Sequence, residues 1–585
     1  MRAVHLLPLV ALLGLAAAVR ADAGPGGKKI DNFTLKDAAG KPVALADFKD
    51  RKAVVVVFVG TECPLNNLYV PRLIELHKEY AGKGVQFLAV NSNVQDTPQK
   101  VAEHARKHGI PFPVLKDPAN RVADQFGAKR TPEAFLLDAK GVIRYRGRID
   151  DQYGIGFQRP KAARRDLAEA LDAVLAGKPV TQPATTAPGC IIARVGRPKE
   201  GAKVTFSKHV APILQKNCQE CHRPGQIGPM SLLAYDDAAA WAEMIREVVS
   251  EGRMPPWHAD PRHGKFANDR RLPRADRDTL LAWIDQGCAK GDDRDLPPPR
   301  PFAEGWRIGK PDVVFEMPNE SSIPAKTPGG GVPYRYFVVP TNFKEDRWVR
   351  AAEARPGNRA VVHHIIVYAG KPEALGKRRG NADGIGAGFL VGYAPGDMPL
   401  VLEPGQAKKL PQGSVLVFQM HYTPNGTPQK DRSSVGLIFA KEPPKHEVRT
   451  RSIAQGRFEI PPGDANYKVT STTTFQQDAL LLSLLPHMHL RGKSFRYEAV
   501  YPDGKTEVLL SVPRYDFGWQ SNYRLAKPVQ LPAGTKINCT AYFDNSEGNP
   551  NNPNPREAVR WGDQTWQEMM IGFVDYAYVE KGKDK

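Results

Sequence analysis

The stretch NCQECHRPGQ, residues 217–226, places two cysteines three positions apart with a histidine directly after the second. Cys218-x-x-Cys221-His222 has the spacing that attaches haem c: two thioether bonds fix the porphyrin edge, and the adjacent imidazole reaches the iron as an axial ligand. A disulfide loop or a zinc half-site uses the same residue types. Zinc needs two more ligands, and no matching Cys or His pair follows nearby. The sixth iron ligand is expected from a downstream loop. Met230 lies close behind the motif, Met244 falls in a helical run suited to core packing, and Met254 opens MPPW, a proline-stiffened loop that can hold a thioether toward iron. Met254 is the choice; His258 is the alternative and gives a lower potential.

Six of the fourteen histidines lie after residue 300, and five of these fall in three short apolar contexts. They are VVHHIIVYA (His363, His364), FQMHYTPNG (His421) and LPHMHLRG (His487, His489). His487 and His489 are two apart on a strand-like run, so both side chains leave one face and can share an ion. His363 and His364 are adjacent, and a regular strand sends them to opposite faces. A common ion there requires a bulge or different ring nitrogens. Alone, that pair also fits half-buried structural histidines.

A further thiol, Cys63, follows the apolar run AVVVVFVG (53–60), with Pro64 where a helix begins. Exposed N–H groups and the dipole at a helix start favour the thiolate, which makes Cys63 a candidate redox nucleophile. Arg130, beside Thr131-Pro132, is placed to add to that effect.

The elements that must hold these residues divide the chain of 585. Arg2, the apolar run Leu6–Val19 and the small-x-small Ala21-Asp22-Ala23 read as a secretory signal peptide over residues 1–23, the alternative being an uncleaved anchor. No later stretch is apolar enough to span a membrane, so the mature chain is expected in an exported, oxidising space, periplasmic or secreted. The net charge of +19 is spread among carboxylates with no basic arm, which argues against nucleic acid and for acidic surfaces or redox partners. GKPVTQPATTAPG (177–189) and LPPPRPF (296–302) read as proline-rich linkers. The expected fold is multidomain. An α/β unit occupies residues 28–175, a linker 177–199, a small all-α unit 200–295, and two all-β sandwiches 310–445 and 446–582.

The first unit resembles the thioredoxin-like redoxins in its strand-Cys-helix order, in GTECPLNN and in RTPEAFLLD, where Thr131-Pro132 matches the family's cis-proline loop beside the active cysteine. It departs from them at Asn66, which stands where a dithiol thioredoxin has its second cysteine, and at Gly60, which stands at the Thr of the peroxiredoxin Thr-x-x-Cys. Exchange within a Cys-x-x-Cys loop is therefore excluded. That leaves a single-thiol role for Cys63, resolved by Cys190, or a docking module with a quiet thiol. Residues ~200 to 295, with FSKHVAPILQKNCQECHRPG and RADRDTLLAWIDQGCAKGD, resemble a small cytochrome c domain.

Together the three histidine motifs resemble the copper type II, ascorbate-dependent monooxygenases over roughly residues 310 to 582. The resemblance implies jelly-roll-like sandwiches with one copper each, facing across an open cleft. It implies His363, His364 and His421 for one copper, and His487, His489 and Met569, in DQTWQEMMIGF, for the second, with Met570 the one-residue alternative. A thioether beside two imidazoles suits Cu(I) and is unusual for zinc. The peptide-amidating members clamp a carboxylate with an Arg and a Tyr at positions that are Leu485 and Phe573 here. A neutral or apolar C–H substrate follows.

Two function classes result. One is an O2-dependent monooxygenase with two coppers, one covalent haem c feeding them, a small-molecule or peptide substrate, and ascorbate or a redox protein as external donor. The other is an electron-transfer or metal-handling protein without oxygenation.

Overall fold

The computed structural model describes residues 27–194, 196–325, 332–373 and 388–579; the signal peptide expected over 1–23 lies outside them. Ala53–Phe58 is buried along its whole length, as a strand covered on both faces must be. Val85–Asn91 pairs with it in parallel and Glu133–Asp138 antiparallel, at the centre of a seven-stranded sheet among the described residues. Val55 and Val57 face one core and Val54, Val56 and Phe58 the other. The helix Pro64–Tyr80 buries Tyr69, Leu73, Leu76 and Tyr80, a three-to-four-residue stripe, against the first core. This is the expected thioredoxin-like α/β unit.

The stretch read as a free linker is not free. Residues 183–192 run back over the α/β unit: Arg146 donates to the Pro183 carbonyl, Thr185 to the Arg146 carbonyl, and Cys190–Ile191 pairs antiparallel with Arg130–Thr131. Ile192 is buried in the second core. Two glycines permit the close approach. A Cβ on Gly147 would lie 2.2 Å from the Thr185 hydroxyl, and one on Gly189 2.2 Å from the Thr131 carbonyl, both at positive φ. Proline and threonine carry no periodicity, so the strap was invisible to pattern. The second proline-rich stretch is also laid down, with Arg300 paired to Glu220 at 2.8 Å and Arg223 stacked over Phe302.

A small helical cluster follows. Residues 206–217, 242–250 and 274–285 pack Phe206, Val210, Leu214, Ile245, Leu280 and Trp283 together, with Trp241 just ahead of the second helix. The segment does not stand alone over 200–295 as expected. Its loop from Pro255 to Asn268 crosses to the far end of the chain, where Trp257, Ala259 and Phe266 join the core of the last sheets. Ala267 donates to the Arg524 carbonyl and Ala526 to the Lys265 carbonyl, both at 2.8 Å, so the loop adds a short edge to the strand Tyr523–Leu531.

The rest of the chain is sheet. Around one core, Arg335–Pro340, Val362–Gly370, Phe389–Tyr393 and Val415–Tyr422 form a four-stranded sheet that packs on Val313–Glu316, Arg347–Arg355, Gln406–Leu410 and Ser434–Phe439. Around the other, Tyr467–Thr474, Gly492–Val500, Thr506–Val512 and Lys536–Phe543 pack on His446–Ala454, Ala479–His487, Tyr523–Leu531 and Ile571–Tyr578. The two layers join without a break: Gln406 and Ala407 pair in parallel with His446 and Glu447, so one sheet runs through both halves. Among the described residues no helix is long and apolar enough to cross a membrane.

Candidate functional site

On Val415–Tyr422, Leu416, Phe418, Met420 and Tyr422 enter the core, so period two sends His421 out of the opposite face. His364 is its cross-strand partner, and Ile365 and Val367 point inward. The register shifts between Val362 and His364, so His363 occupies the bulge that a common ion required. The three rings converge through the same nitrogen. His363 Nδ1 lies 3.3 Å from His364 Nδ1 and 3.2 Å from His421 Nδ1, and the three potential ligand atoms all lie within 4.8 Å of one another. A tetrahedral ion with bonds of ~2.0 Å spaces its ligands by roughly 3.3 Å. The donor set therefore fits a metal ion.

The second cluster is built by the same alternation. Leu481, Leu484 and Met488 enter the last core, leaving Leu485, His487 and His489 on the other side. Across the ladder Met570, Val574 and Tyr576 point into that core, whereas Met569, Ile571 and Phe573 form a separate cluster against Leu485. His487 pairs with Ile571 and Leu485 with Phe573. Met569, not Met570, thus shares a face with the His-x-His pair. His489 Nδ1 donates to the Gln567 carbonyl at 3.2 Å, and its Nε2 is buried with no protein partner. His487 Nδ1 donates to Gln520 Oε1 at 2.6 Å. Both rings are oriented as metal ligands are, with one nitrogen held and the other left as a lone pair.

Burial keeps all five imidazoles neutral, the form that binds metal. It holds His363 and His487 down to about 4 and His489 to about 3, and the neighbouring histidines add to the depression at His364 and His421.

The open cleft is not observed. Tyr334 packs edge-on to His364, His421 and His489, with centroids 5.4, 4.9 and 6.4 Å away, and Phe517 stacks on His363 at 5.1 Å while touching His489 at 5.9 Å. Tyr334, which is buried, and Phe517, which is half-buried, stand between the clusters. A cavity beside them is lined by His364 and His487 together with Leu485, Phe573, Tyr393, Asp397 and Arg524. Lys408 and Asp575, both buried, meet in its wall at 3.1 Å. Sequence reasoning missed Tyr334, Phe517, Gln520 and this ion pair. Only Asp575 left a signal, as a lone carboxylate inside the apolar strand IGFVDYAY.

At the haem motif, Cys218 and Cys221 are free thiols whose burial raises them, Cys218 to about 12. The chain folds back beneath His222: Gly228 donates to the Cys221 carbonyl and Leu232 to the His222 carbonyl. His222 Nδ1 donates to the Met230 carbonyl at 3.3 Å, which leaves Nε2 as the lone pair. The residues fit a thioether-linked haem with His222 as axial ligand. Met230 serves as this support, and both it and Met244 pack on the helical core. Met254 sits beside Arg253, which is paired with Glu247, and His258 faces Asp516 and Arg514 of the last sandwich. Cys221 feels the charges of Arg270 and Arg307, and Tyr393 in the cavity wall feels Cys221.

In the α/β unit Cys63 is the residue before the helix Pro64–Tyr80 and is 1% exposed. Its thiol donates to the Thr131 carbonyl at 3.0 Å, and Thr131-Pro132 is cis. Burial raises the thiol, but hydrogen bonds from Cys190 and from the Asn66 N–H outweigh it and bring Cys63 down to about 7. Arg130 does not act on Cys63 as expected: its guanidinium pairs with Glu247 of the helical cluster and donates to the Gly189 carbonyl. Asn66 fills the second-cysteine position, donating to the Gly60 carbonyl at 2.8 Å. A Cβ on Gly60 would come within 2.6 Å of the Asn93 amide, so no threonine fits there.

Residues 26–146 match the AhpC/TSA family. The thiol-disulfide oxidoreductase ResA of Geobacillus thermodenitrificans is 32% identical over 148 residues, which cover 25% of this chain and 83% of that protein. The chain belongs to this redoxin family. The family match covers residues 26–146, within the first unit. Against ResA of Bacillus anthracis the identity is 32% over 117 residues, 20% of this chain, and the chain spans 66% of that relative's length. A hypothetical protein from Sinorhizobium meliloti is 36% identical, with 28% of this chain and 92% of that chain covered at a TM-score of 0.27. The redoxin unit is thus a thiol-disulfide oxidoreductase-like redox domain on a larger, sheet-rich chain.

Proposed function

We propose that the chain is an exported electron-transferring oxidoreductase in which the two histidine clusters hold a pair of copper ions beside a covalently attached haem c. The observation that carries this reading is the approach of His363, His364 and His421 through three Nδ1 atoms, two of the separations being 3.2 and 3.3 Å. Copper is preferred to zinc because Met569 offers a thioether on the face of His487 and His489. When bound, copper and haem iron supply one-electron chemistry at neighbouring points.

The chain's own residues prepare that chemistry. Gln520 and the Gln567 carbonyl fix the tautomers of His487 and His489, and the Met230 carbonyl fixes that of His222. Tyr334 and Phe517 pack against rings of both clusters. Tyr393, which lines the cavity together with His364, feels the charge of Cys221 in the haem motif.

Oxygenation of a C–H bond is the finer reading of the same centre. The soft Met569 ligand and the apolar Leu485 and Phe573 in the cavity wall favour it, with a small-molecule or peptide substrate, O2, and ascorbate or a redox protein as donor. The redoxin kinship favours transfer without oxygenation. Metal and haem analysis of the purified chain is the test, followed by mixing the reduced protein with O2. Two coppers and one haem, with haem oxidation that depends on copper and on substrate, support the monooxygenase. Copper-dependent oxidation indifferent to any substrate supports electron transfer alone. One zinc and no copper would end the monooxygenase reading.

A further inference from the structure

The redoxin unit lacks the second cysteine of its helix start, yet a second thiol reaches the same place from outside. The strap strand Cys190–Ile191 pairs with Arg130–Thr131 so that Cys190 stands opposite Thr131, the residue whose carbonyl accepts from Cys63. The two thiols thus meet at Thr131 and perturb each other, Cys190 helping to hold Cys63 down while Cys63 raises Cys190. The backbone is shaped for this meeting: Gly189, at φ +116°, passes so close to Thr131 that any side chain would strike its carbonyl. The two sulfurs are unequal. Cys63 is sealed at 1% exposure, whereas Cys190 is only partly covered, by the helical cluster.

We propose that Cys63 and Cys190 are a noncontiguous thiol–disulfide couple, with Cys190 the sulfur attacked by an external dithiol and Cys63 the leaving group. In the reducing direction an external thiolate attacks Cys190 Sγ. The Cys63–Cys190 bond breaks, its electron pair stays on Cys63 as thiolate, and a mixed disulfide forms on Cys190. The second thiolate of the external dithiol then attacks its own sulfur in that mixed disulfide. This releases Cys190, which takes up a proton, and leaves the external partner as a disulfide. Two electrons enter the couple and two leave the partner.

The polarity follows from access and leaving-group quality. A thiolate attacks the sulfur it can reach, and the sulfur of lower pKa departs faster. Cys63, hydrogen-bonded by the Asn66 N–H, is the stabilised thiolate, whereas burial and the neighbouring Cys63 raise Cys190. This order inverts the usual one, in which the thiol at the helix start is the exposed nucleophile. It rests on the strap alone and is independent of any metal or haem.

The full-length chain equilibrated in glutathione buffers, alkylated under acid quench and digested, is expected to yield a Cys63–Cys190 linked peptide in the oxidised samples and two alkylated thiols in the reduced ones. Absence of the linked peptide at every glutathione ratio would overturn the proposal, and this measurement needs no variant. Polarity is read from two substitutions. Cys63→Ser is expected to capture glutathione on Cys190, and Cys190→Ser to capture it on Cys63 at least about tenfold more slowly. Faster capture by Cys63 than by Cys190 would refute the order of attack.

Discussion

Lys408→Met tests what fixes the two β halves against each other. Lys408 is 4% exposed and Asp575 8%. The ammonium lies 3.1 Å from Asp575 and 2.9 Å from the Thr450 hydroxyl, with the Phe389 and Leu390 carbonyls at 3.3 and 3.4 Å. Among the described residues Asp575 accepts in addition from the hydroxyls of Thr450 and Ser483. Methionine keeps the length and apolar volume of the lysine stem, so the loss is electrostatic. Removing one partner of a buried pair strands the other charge and costs about 3–5 kcal/mol. For a unit of this size that is a fall in Tm on the order of 10 °C. Lys408→Met/Asp575→Leu takes out both charges and is expected to recover at least half of the loss. Calorimetry of the β-region transition in the four members of the cycle measures both numbers. A single variant that loses less than about 1 kcal/mol, or a double variant that loses the sum of the singles, would refute the reasoning.

Met569→Leu is expected to change stability by less than about 1.5 kcal/mol while weakening Cu(I) binding, whereas Met570→Ala removes a core side chain and costs about 2–5 kcal/mol with Cu(I) affinity kept; metal titration and denaturant unfolding separate them. Cys221→Ala or His222→Ala is expected to abolish the reduced-haem bands, and Met254→Ala to keep covalent haem with a shifted spectrum. An unchanged spectrum in the last would move the sixth ligand to His258. Iodoacetamide labelling of Cys63 in the reduced chain should rise with its thiolate, half-maximal near pH 7, because the folded state lowers that thiol. Since the folded pKa lies below the unfolded ~8.5, this thiolate contributes stability in full above pH 8.5 and loses it as pH falls to 7.

What could be read from residues was whatever obeyed a period or a fixed spacing. Ala53–Phe58 announced a doubly covered strand, His487 and His489 a shared face, and the adjacent His363 and His364 required either a bulge or different ring nitrogens, of which the ladder contains the bulge. Spacing also separated Cys218 and Cys221 from other thiols. What stayed hidden depends on contacts between residues far apart in the chain. Tyr334 and Phe517 are isolated aromatics whose meeting at the histidines is set by how two sheets stack, and nothing near either one encodes it. Cys190 could be named as a resolving thiol for Cys63, but it lies in a stretch of Pro, Thr and Gly that reads as loop, and the way it reaches Cys63, by backbone pairing with Thr131, could not be read there. The choice of Met569 over Met570 needed the register of Ile571 against His487, which a one-residue slip would reverse.

The loop carrying Trp257 and Phe266 into the last core has a kinetic meaning. A carrier that finds its acceptor by diffusion slows on dilution and responds to salt, since each transfer waits for an encounter. Here the helical cluster is stitched to the sheets by backbone hydrogen bonds at Lys265, Ala267 and Asp260 and by two buried rings. If haem and copper occupy the sites proposed above, donor and acceptor share one folded body, and traffic between Cys221 and His364 would be a unimolecular process with a rate constant indifferent to how much protein is present.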